Sequence, residues 1–219
     1  MKKYLILTLA AVILAASTAM AQDDWAFLGK YASANAELKK SPKAVFMGDS
    51  ITQCWPDCDA GFFSDNNFAC RGISGQTTSH MLVRMRKDVV ALHPKYVVIL
   101  AGTNDIAKNN GDITLENVLG NIESMCELAK VHKIKPIICS VLPAAAYRWR
   151  KGIKPADDIV KLNGMLYEYA KSKKIPYVDY HSVLKDENNG LPEVHAADGV
   201  HPNIDCYKIM EKIILEYIK

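Results

Sequence analysis

Two short polar motifs contain residue types that can carry out nucleophilic chemistry. Ser50 ends the motif Gly48-Asp49-Ser50, which directly follows the apolar run Ala44–Met47. Asp198 precedes His201 by three residues, across a turn that contains a glycine. At this spacing the carboxylate can hold the imidazole in one tautomer, which leaves the other ring nitrogen free to take a proton from a hydroxyl. Ser50, Asp198 and His201 are therefore the candidate catalytic residues.

Each motif also has a simpler structural explanation. A serine at the end of a strand can cap the helix that follows, and an aspartate in a turn can bond to nearby backbone amides. His195 lies six residues before His201 but has no aspartate at the matching spacing. The catalytic interpretation of Ser50 and Asp198 therefore depends on finding further residues that serve the same reaction.

A serine that attacks a carbonyl needs hydrogen-bond donors for the oxyanion that forms. Gly75 follows the apolar run 67–70 and has no Cβ that would shield its amide. Asn104 follows the apolar run Tyr96–Ala101 and offers a side-chain N–H. Taken alone, Gly75 could be an ordinary turn residue and Asn104 an Asx-turn residue. Together with Ser50, they are candidates for an oxyanion hole.

The elements that must position these residues alternate between strands and helices. Short runs that are apolar throughout are typical of parallel strands covered on both faces. Helical spacing of apolar residues separates them. Predicted strands cover residues 44–47, 67–70, 96–101, 136–141 and 175–178, and predicted helices cover 23–39, 77–92, 114–132, a segment from 155 and a segment from about 203.

Alternation of this kind, with right-handed crossovers, predicts one three-layer α/β domain with a parallel sheet. No linker interrupts the pattern between residue 22 and residue 219. In open parallel sheets, sites form at the carboxyl ends of the strands. The candidate residues stand at those ends, and their order along the chain is Ser, Gly, Asn, Asp, His.

The four motifs together resemble those of the SGNH hydrolases, also called GDSL-type esterases and lipases, over nearly the whole chain from Ala44 onward. The resemblance implies a flavodoxin-like α/β/α sandwich with five parallel strands, a Ser50–His201–Asp198 triad and no metal or other cofactor. It also implies that the Ser50 and Gly75 amides and the Asn104 side chain bind the oxyanion. Ile51 stands where the family name has leucine, which leaves the chemistry unchanged. The matching segments are Gly48-Asp49-Ser50-Ile51, Arg71-Gly72-Ile73-Ser74-Gly75-Gln76, Gly102-Thr103-Asn104-Asp105 and Asp198-Gly199-Val200-His201-Pro202.

The segment 144–152 follows the fourth predicted strand, on the same side of the sheet as the candidate site. Exposed Trp149 and Arg150 there would suit stacking on a sugar ring and binding of polar groups. Asp49, Trp149 and Arg150 are the candidate substrate contacts, although the segment could equally be a solvated loop. The expected export, this polar, aromatic segment and the lack of a long hydrophobic lid favour short acyl groups, such as acetyl, on carbohydrates. The family resemblance also admits lysophospholipids, platelet-activating-factor-like lipids and simple aryl esters as substrates.

The first 21 residues have the layout of a secretory signal peptide. Lys2 and Lys3 precede an apolar run that is shorter than the roughly 20 residues of a membrane-spanning helix, and Ala19-Met20-Ala21 forms an A-x-A cleavage site. We expect cleavage after Ala21, no stable membrane anchor, and a secreted or periplasmic domain 22–219. Cleavage removes two lysines and no acid, so the formal charge falls from +3 to +1. A nearly neutral chain has no electrostatic basis for binding nucleic acid.

Six cysteines in an exported chain make disulfides possible. A bridge between Cys54 and Cys58, or between Cys58 and Cys70, is compatible with their spacing. Cys126 and Cys139 fall in segments with an apolar pattern and are expected to be buried as small apolar side chains.

Two other classes of protein share this fold pattern. A non-catalytic carbohydrate-binding protein would not need Ser50, Asp198 and His201 together. A nucleotide-binding protein would carry a G-x-G-x-x-G motif after a strand, and the pair Gly72 and Gly75 is too little evidence for one. The sequence therefore favours an esterase, acting on a small-molecule or oligosaccharide ester.

Overall fold

A computed structural model describes residues 24–219, so the predicted signal peptide lies outside the described residues. Within residues 24–219, no helix is long and apolar enough to cross a membrane. The strands are β1 (Ala44–Gly48), β2 (Phe68–Gly72), β3 (Tyr96–Leu100), β4 (Lys135–Cys139) and β5 (Tyr177–Val178). The helices are α1 (Ala32–Ala36), α2 (Ser50–Cys58), α3 (Ala60–Asp65), α4 (Thr78–Asp88), α5 (Thr103–Ile106), α6 (Leu115–Val131), α7 (Ala156–Ser172), α8 (Tyr180–Leu184) and α9 (Ile204–Leu215), with a 3-10 turn at Val90–Leu92.

The five strands form one sheet in the order β2-β1-β3-β4-β5, and every neighbouring pair is parallel. In the central register, Gly48 at the end of β1 lies beside Gly72 of β2 and Leu100 of β3. The carboxyl ends of these three strands are therefore level. The segments that carry Ser50, Gly75 and Asn104 leave the sheet side by side, as the sequence predicts.

Successive residues of a strand point to opposite faces of the sheet, and both faces are covered here. Val45 and Met47 of β1 belong to an apolar core that includes residues of α4, α6 and α7. Ala44 and Phe46 belong to a second core that includes residues of α2, α3 and α9. This confirms the predicted three-layer α/β/α architecture, and it explains why the strands are apolar throughout.

Two expectations from the sequence differ from the structure. The helix predicted for residues 23–39 is reduced to α1, which buries none of its residues. Neither of the two disulfides that the spacing allows is present, because all six cysteines are free thiols. In the closing helix, Tyr207 and Ile214 are buried and Ile204 is 40% exposed. Cys126 and Cys139 are buried, as expected.

Candidate active site

Ser50 is the first residue of α2, directly after the strand end, and its side chain is half-buried. The helix cap is Asp49, whose carboxylate accepts a hydrogen bond from the Ile51 amide at 3.0 Å. Ser50 is therefore not needed as the cap. Its hydroxyl Oγ lies 2.9 Å from Nε2 of His201 instead.

His201 lies in the loop that precedes α9, and Asp198 holds it in place. The Asp198 Oδ2 atom is 2.6 Å from His201 Nδ1, while Oδ1 accepts hydrogen bonds from the amides of His201 and Val200 at 2.8 and 2.9 Å. Burial raises the pKa of the Asp198 carboxyl, but the hydrogen bonds from His201 and Val200 outweigh burial and leave the pKa below its ordinary value. Asp198 therefore acts both as a turn residue and as the partner of the imidazole.

The contacts join Ser50, His201 and Asp198 into one chain of hydrogen bonds that is open to solvent. The His201 and Asp198 side chains are 35% and 37% exposed. A carboxylate on Nδ1 leaves Nε2 as the acceptor of the serine proton, which is the arrangement that activates a hydroxyl for attack on a carbonyl.

The loop after β2 brings Gly75 to the same edge of the sheet. Gly72 makes this possible, because a Cβ at that position would lie 2.3 Å from the Gln53 amide and 2.6 Å from the Asp49 carbonyl. The Ser74 amide donates to Gln53 Oε1 at 2.8 Å, which ties the loop to α2. Gly75 itself has a φ of +77°, a conformation that favours glycine.

Two backbone amides at this edge are free to bind a ligand. Within residues 24–219, neither the Ser50 amide nor the Gly75 amide donates a hydrogen bond to another residue. A free N–H at the start of a helix and another in an adjacent loop are the type of donors that stabilise an oxyanion.

Asn104 is buried beside this loop, and its amide orientation is defined by hydrogen bonds. Its Nδ2 donates to the Gln76 carbonyl at 3.1 Å and lies 3.3 Å from Asp49 Oδ2. The next residue, Asp105, accepts hydrogen bonds from the Thr78 amide and hydroxyl at 3.0 and 2.6 Å, and so caps α4. Asn104 therefore presents its N–H side towards the Gly75 loop.

Arg84 is a supporting residue that the sequence motifs do not identify. It is fully buried on α4, forms an ion pair with Asp88 at 2.5 Å and donates to Gln76 Oε1 at 2.7 Å. Gln76 is thus held by its side chain while its carbonyl accepts from Asn104. The sequence offers one sign of this role, because Arg84 falls beside Met81 and Met85 on the apolar side of a predicted helix, where an arginine needs a buried partner.

Asp49 does not lie where a substrate contact would need it. Its side chain is buried, and its oxygens face the Ile51 amide and the Asn104 side chain. Burial raises the pKa of the Asp49 carboxyl to about 7, although the Ile51 amide and the charge of His201 act in the opposite direction. The expectation that Asp49 contacts substrate is therefore replaced by a supporting role beneath Ser50 and Asn104.

The raised pKa of Asp49 gives a testable pH dependence of stability. An ordinary aspartate in the unfolded chain loses its proton near pH 4, whereas folded Asp49 keeps it until about pH 7. Between these values the folded state binds more protons, so the Asp49 contribution to the free energy of unfolding falls as the pH rises. In Asp49→Asn this contribution is absent.

We therefore expect the free energy of unfolding of the wild type, relative to Asp49→Asn, to fall between about pH 4 and pH 7.5. The fall should exceed about 1.4 kcal/mol, the equivalent of one pKa unit. Urea denaturation of both proteins across this pH range measures it. Parallel pH curves for the two proteins would show that the Asp49 pKa is not raised.

Trp149 and Arg150 lie near the site but are held by other parts of the chain. The Trp149 ring is 43% exposed, stacks on Tyr147 and lies 6.4 Å from the His201 ring between centroids. Arg150 donates to the Lys108 carbonyl at 3.1 Å. One face of Trp149 is therefore available at the mouth of the site, whereas Arg150 anchors the loop.

Comparison with known proteins places this site in a family. The family described as "GDSL-like Lipase/Acylhydrolase family" matches residues 46–209. A GDSL-like lipase from Bacteroides thetaiotaomicron, known from its crystal structure, is 45% identical, with 89% of this chain and 98% of that chain covered and a TM-score of 0.86.

Two curated relatives match over shorter stretches. The platelet-activating factor acetylhydrolase IB subunit alpha1 of Rattus norvegicus is 33% identical over 111 residues, covering 48% of this chain and 45% of the relative. The acetylxylan esterase of Xylanibacter ruminicola is 27% identical over 152 residues, covering 61% of this chain and 30% of the relative. The chain thus spans less than half the length of either relative.

Since the family match extends from β1 into α9, the chain belongs to the GDSL-like lipase/acylhydrolase family, the SGNH hydrolases, and is a carboxylic ester hydrolase.

Proposed function

We propose that this protein is an exported serine esterase that removes short acyl groups, acetyl above all, from carbohydrates. The observation that carries the proposal is the hydrogen-bond chain from Ser50 Oγ to His201 Nε2 and from His201 Nδ1 to Asp198 Oδ2. This chain supplies a nucleophile, a general base and a group that orients the base.

The reaction would proceed by two acyl transfers. Ser50 Oγ attacks the ester carbonyl carbon while His201 Nε2 takes the hydroxyl proton, and the amides of Ser50 and Gly75 bind the oxyanion. The Asn104 side chain joins them when one of its N–H groups exchanges its longer contact, 3.3 Å to Asp49 Oδ2, for the oxyanion. The alcohol leaves with the proton from His201, and the acyl group remains on Ser50. Water, deprotonated by His201, then attacks the acyl-enzyme and releases the carboxylic acid and free Ser50.

The openness of the site supports a small acyl group on a large alcohol. The His201 and Asp198 side chains are 35% and 37% exposed, and the Trp149 ring, itself 43% exposed, lies 6.4 Å from the His201 ring between centroids. An indole face at the mouth of a site is a suitable surface for stacking a sugar ring. The resemblance to an acetylxylan esterase points in the same direction.

The second candidate substrate is an acetylated phospholipid. It is favoured by the resemblance to a platelet-activating factor acetylhydrolase subunit. Both relatives are named for acetyl esters, so the two candidates differ in the alcohol and agree on the acyl group.

A substrate series separates these candidates. The purified protein would be assayed with p-nitrophenyl esters of increasing acyl length, with acetylated xylo-oligosaccharides and with platelet-activating factor, using Ser50→Ala as the inactive control. We expect the highest kcat/KM for acetyl among the aryl esters, and a higher kcat/KM for the acetylated oligosaccharide than for the lipid. A preference for long acyl chains or for the lipid would contradict the carbohydrate assignment.

Export is tested separately by N-terminal sequencing of the mature protein, which we expect to start at Gln22.

A further inference from the structure

Asn104 is held by a second asparagine, Asn109, which is itself held by Trp149. We propose that Asn109 and Trp149 are positioning residues that fix the amide orientation of Asn104, so that its N–H and not its oxygen is presented to the oxyanion. This inference rests on the proposed function, because it assumes that Asn104 binds the oxyanion. It extends that function to two residues outside the family motifs.

Three hydrogen bonds connect these side chains in series. Trp149 Nε1 donates to Asn109 Oδ1 at 3.0 Å, and Asn109 Nδ2 donates to Asn104 Oδ1 at 2.6 Å. Asn104 Nδ2 then donates to the Gln76 carbonyl at 3.1 Å. The series therefore runs from the exposed loop of Trp149 to the loop of Gly75 and Gln76.

The chemistry of the amide group makes this series directional. The oxygen and the NH₂ group of an asparagine have nearly the same shape, so their neighbours decide which one faces which way. A reversed Asn104 would place its NH₂ group against the NH₂ group of Asn109 and its oxygen against the Gln76 carbonyl. Both contacts would be unfavourable, because neither would pair a donor with an acceptor.

The same reasoning applies one step further out. The indole Nε1–H of tryptophan can only donate, so Trp149 selects the oxygen of Asn109 and leaves the Asn109 NH₂ group for Asn104. Without this donor, only the oxygen of Asn104 would determine which end of the Asn109 amide faces Asn104. Trp149 therefore reinforces the direction of both amides, which the Gln76 carbonyl and Asp49 Oδ2 also favour through their contacts with Asn104 Nδ2.

The backbone keeps the three side chains within reach of one another. The Asn109 amide donates to the Asn104 carbonyl at 3.0 Å, which closes the turn that follows α5. On the other side, Arg150 donates to the Lys108 carbonyl at 3.1 Å, so the Trp149 loop is attached to the residue next to Asn109. Arg148 of the same loop donates to the Ala197 carbonyl at 2.7 Å, beside Asp198.

The Trp149 loop therefore contacts both halves of the site. If Trp149 only contacted the alcohol of the substrate, an ester too small to reach the loop would be unaffected by changes at Trp149. The hydrogen bonds predict instead that removing the Trp149 Nε1–H lowers kcat even for an ester as small as p-nitrophenyl acetate.

The test uses two variants that keep the shape of the side chains. Asn109→Asp still accepts from Trp149 but its carboxylate cannot donate to Asn104, and Trp149→Phe keeps a ring against Tyr147 but loses the Nε1–H. With p-nitrophenyl acetate, we expect each to lower kcat on the order of tenfold with little change in KM, less than the roughly 10²-fold loss expected on deleting the Asn104 donor itself. Lys151→Ala, an exposed change in the same loop, is the matched control and should retain the wild-type kcat.

A double-mutant cycle then tests whether the loss of kcat depends on Asn104. In an Asn104→Ala background, Asn109→Asp and Trp149→Phe should cause no further loss of kcat, because there is no amide left to orient. Thermal melting of every variant separates this from loss of folding. Unchanged kcat in the single variants, or equal losses with and without Asn104, would overturn the proposal while leaving the esterase assignment intact. If Asn104→Ala itself kept full activity, the proposed oxyanion role of Asn104 would be lost, and the positioning proposal with it.

Discussion

Ser50→Ala is expected to lower kcat for p-nitrophenyl acetate on the order of 10⁴-fold or more, since loss of the nucleophile in such a triad removes nearly all activity. The hydroxyl forms the bond to the acyl group, and no other hydroxyl is hydrogen-bonded to His201 in residues 24–219. The substitution removes one half-buried oxygen and leaves the Asp49 cap of α2 intact. The melting temperature should therefore stay close to that of the wild type.

The comparison must be made on purified proteins with matched melting curves, and His201→Ala is the partner variant. Because the two residues act as one unit, the double variant should be little worse than either single variant. A Ser50→Ala protein that keeps more than about 1% of the wild-type kcat would show that another group is the nucleophile.

Arg84→Met is expected to cause the largest loss of stability, about 3–5 kcal/mol in the free energy of unfolding, because it leaves a buried charge without its partner. Asp88 is buried. Within residues 24–219, its carboxylate accepts hydrogen bonds from Arg84 at 2.5 Å and from the Asn35 side-chain Nδ2 at 3.1 Å. The change also removes the donor to Gln76 Oε1. Urea denaturation at neutral pH measures the loss.

The double variant Arg84→Met with Asp88→Leu separates the charge from the packing. It removes both members of the ion pair, and it should recover most of the stability. Its kcat should remain below that of the wild type, since Gln76 still lacks the donor that holds the loop of Gly75. A single variant within about 1 kcal/mol of the wild type would show that Asp88 finds another partner or is neutral.

The central part of the fold could be predicted from the sequence because its signal is local. A strand such as Tyr96–Leu100 is apolar at every position, and the lengths of α6 and α7 follow from their 3.6-residue spacing. The segment before β1 has a similar spacing of apolar residues, yet it is held by polar contacts to distant loops. The Tyr31 hydroxyl donates to the Gly72 carbonyl, and the Ala26 carbonyl accepts from Gln76 at 3.0 Å.

Site residues could likewise be predicted where the signal is local in the sequence, and not where it depends on distant residues. Ser50, Asp198 and His201 could be proposed because their motifs lie within a few residues of predicted element ends. Asn109 and Arg84 could not, because their roles depend on Trp149 and Gln76, which are 40 and 8 residues away and reach them only in the folded chain. The inward position of Asp49 could not be predicted for a related reason, since the sequence does not show which side chains of a polar motif are turned inward.

The central claim is that Ser50 is the nucleophile of an acyl-transfer reaction, and covalent labelling tests it most directly. The full protein would be treated with a fluorophosphonate, which phosphonylates an activated serine, and then examined by intact mass and by peptide mapping. We expect one adduct per molecule, located on Ser50, and none in Ser50→Ala or in protein pre-treated with excess reactive acetyl ester under rapid-quench conditions. An adduct on a different residue, or no adduct in a protein that hydrolyses esters, would contradict the assignment.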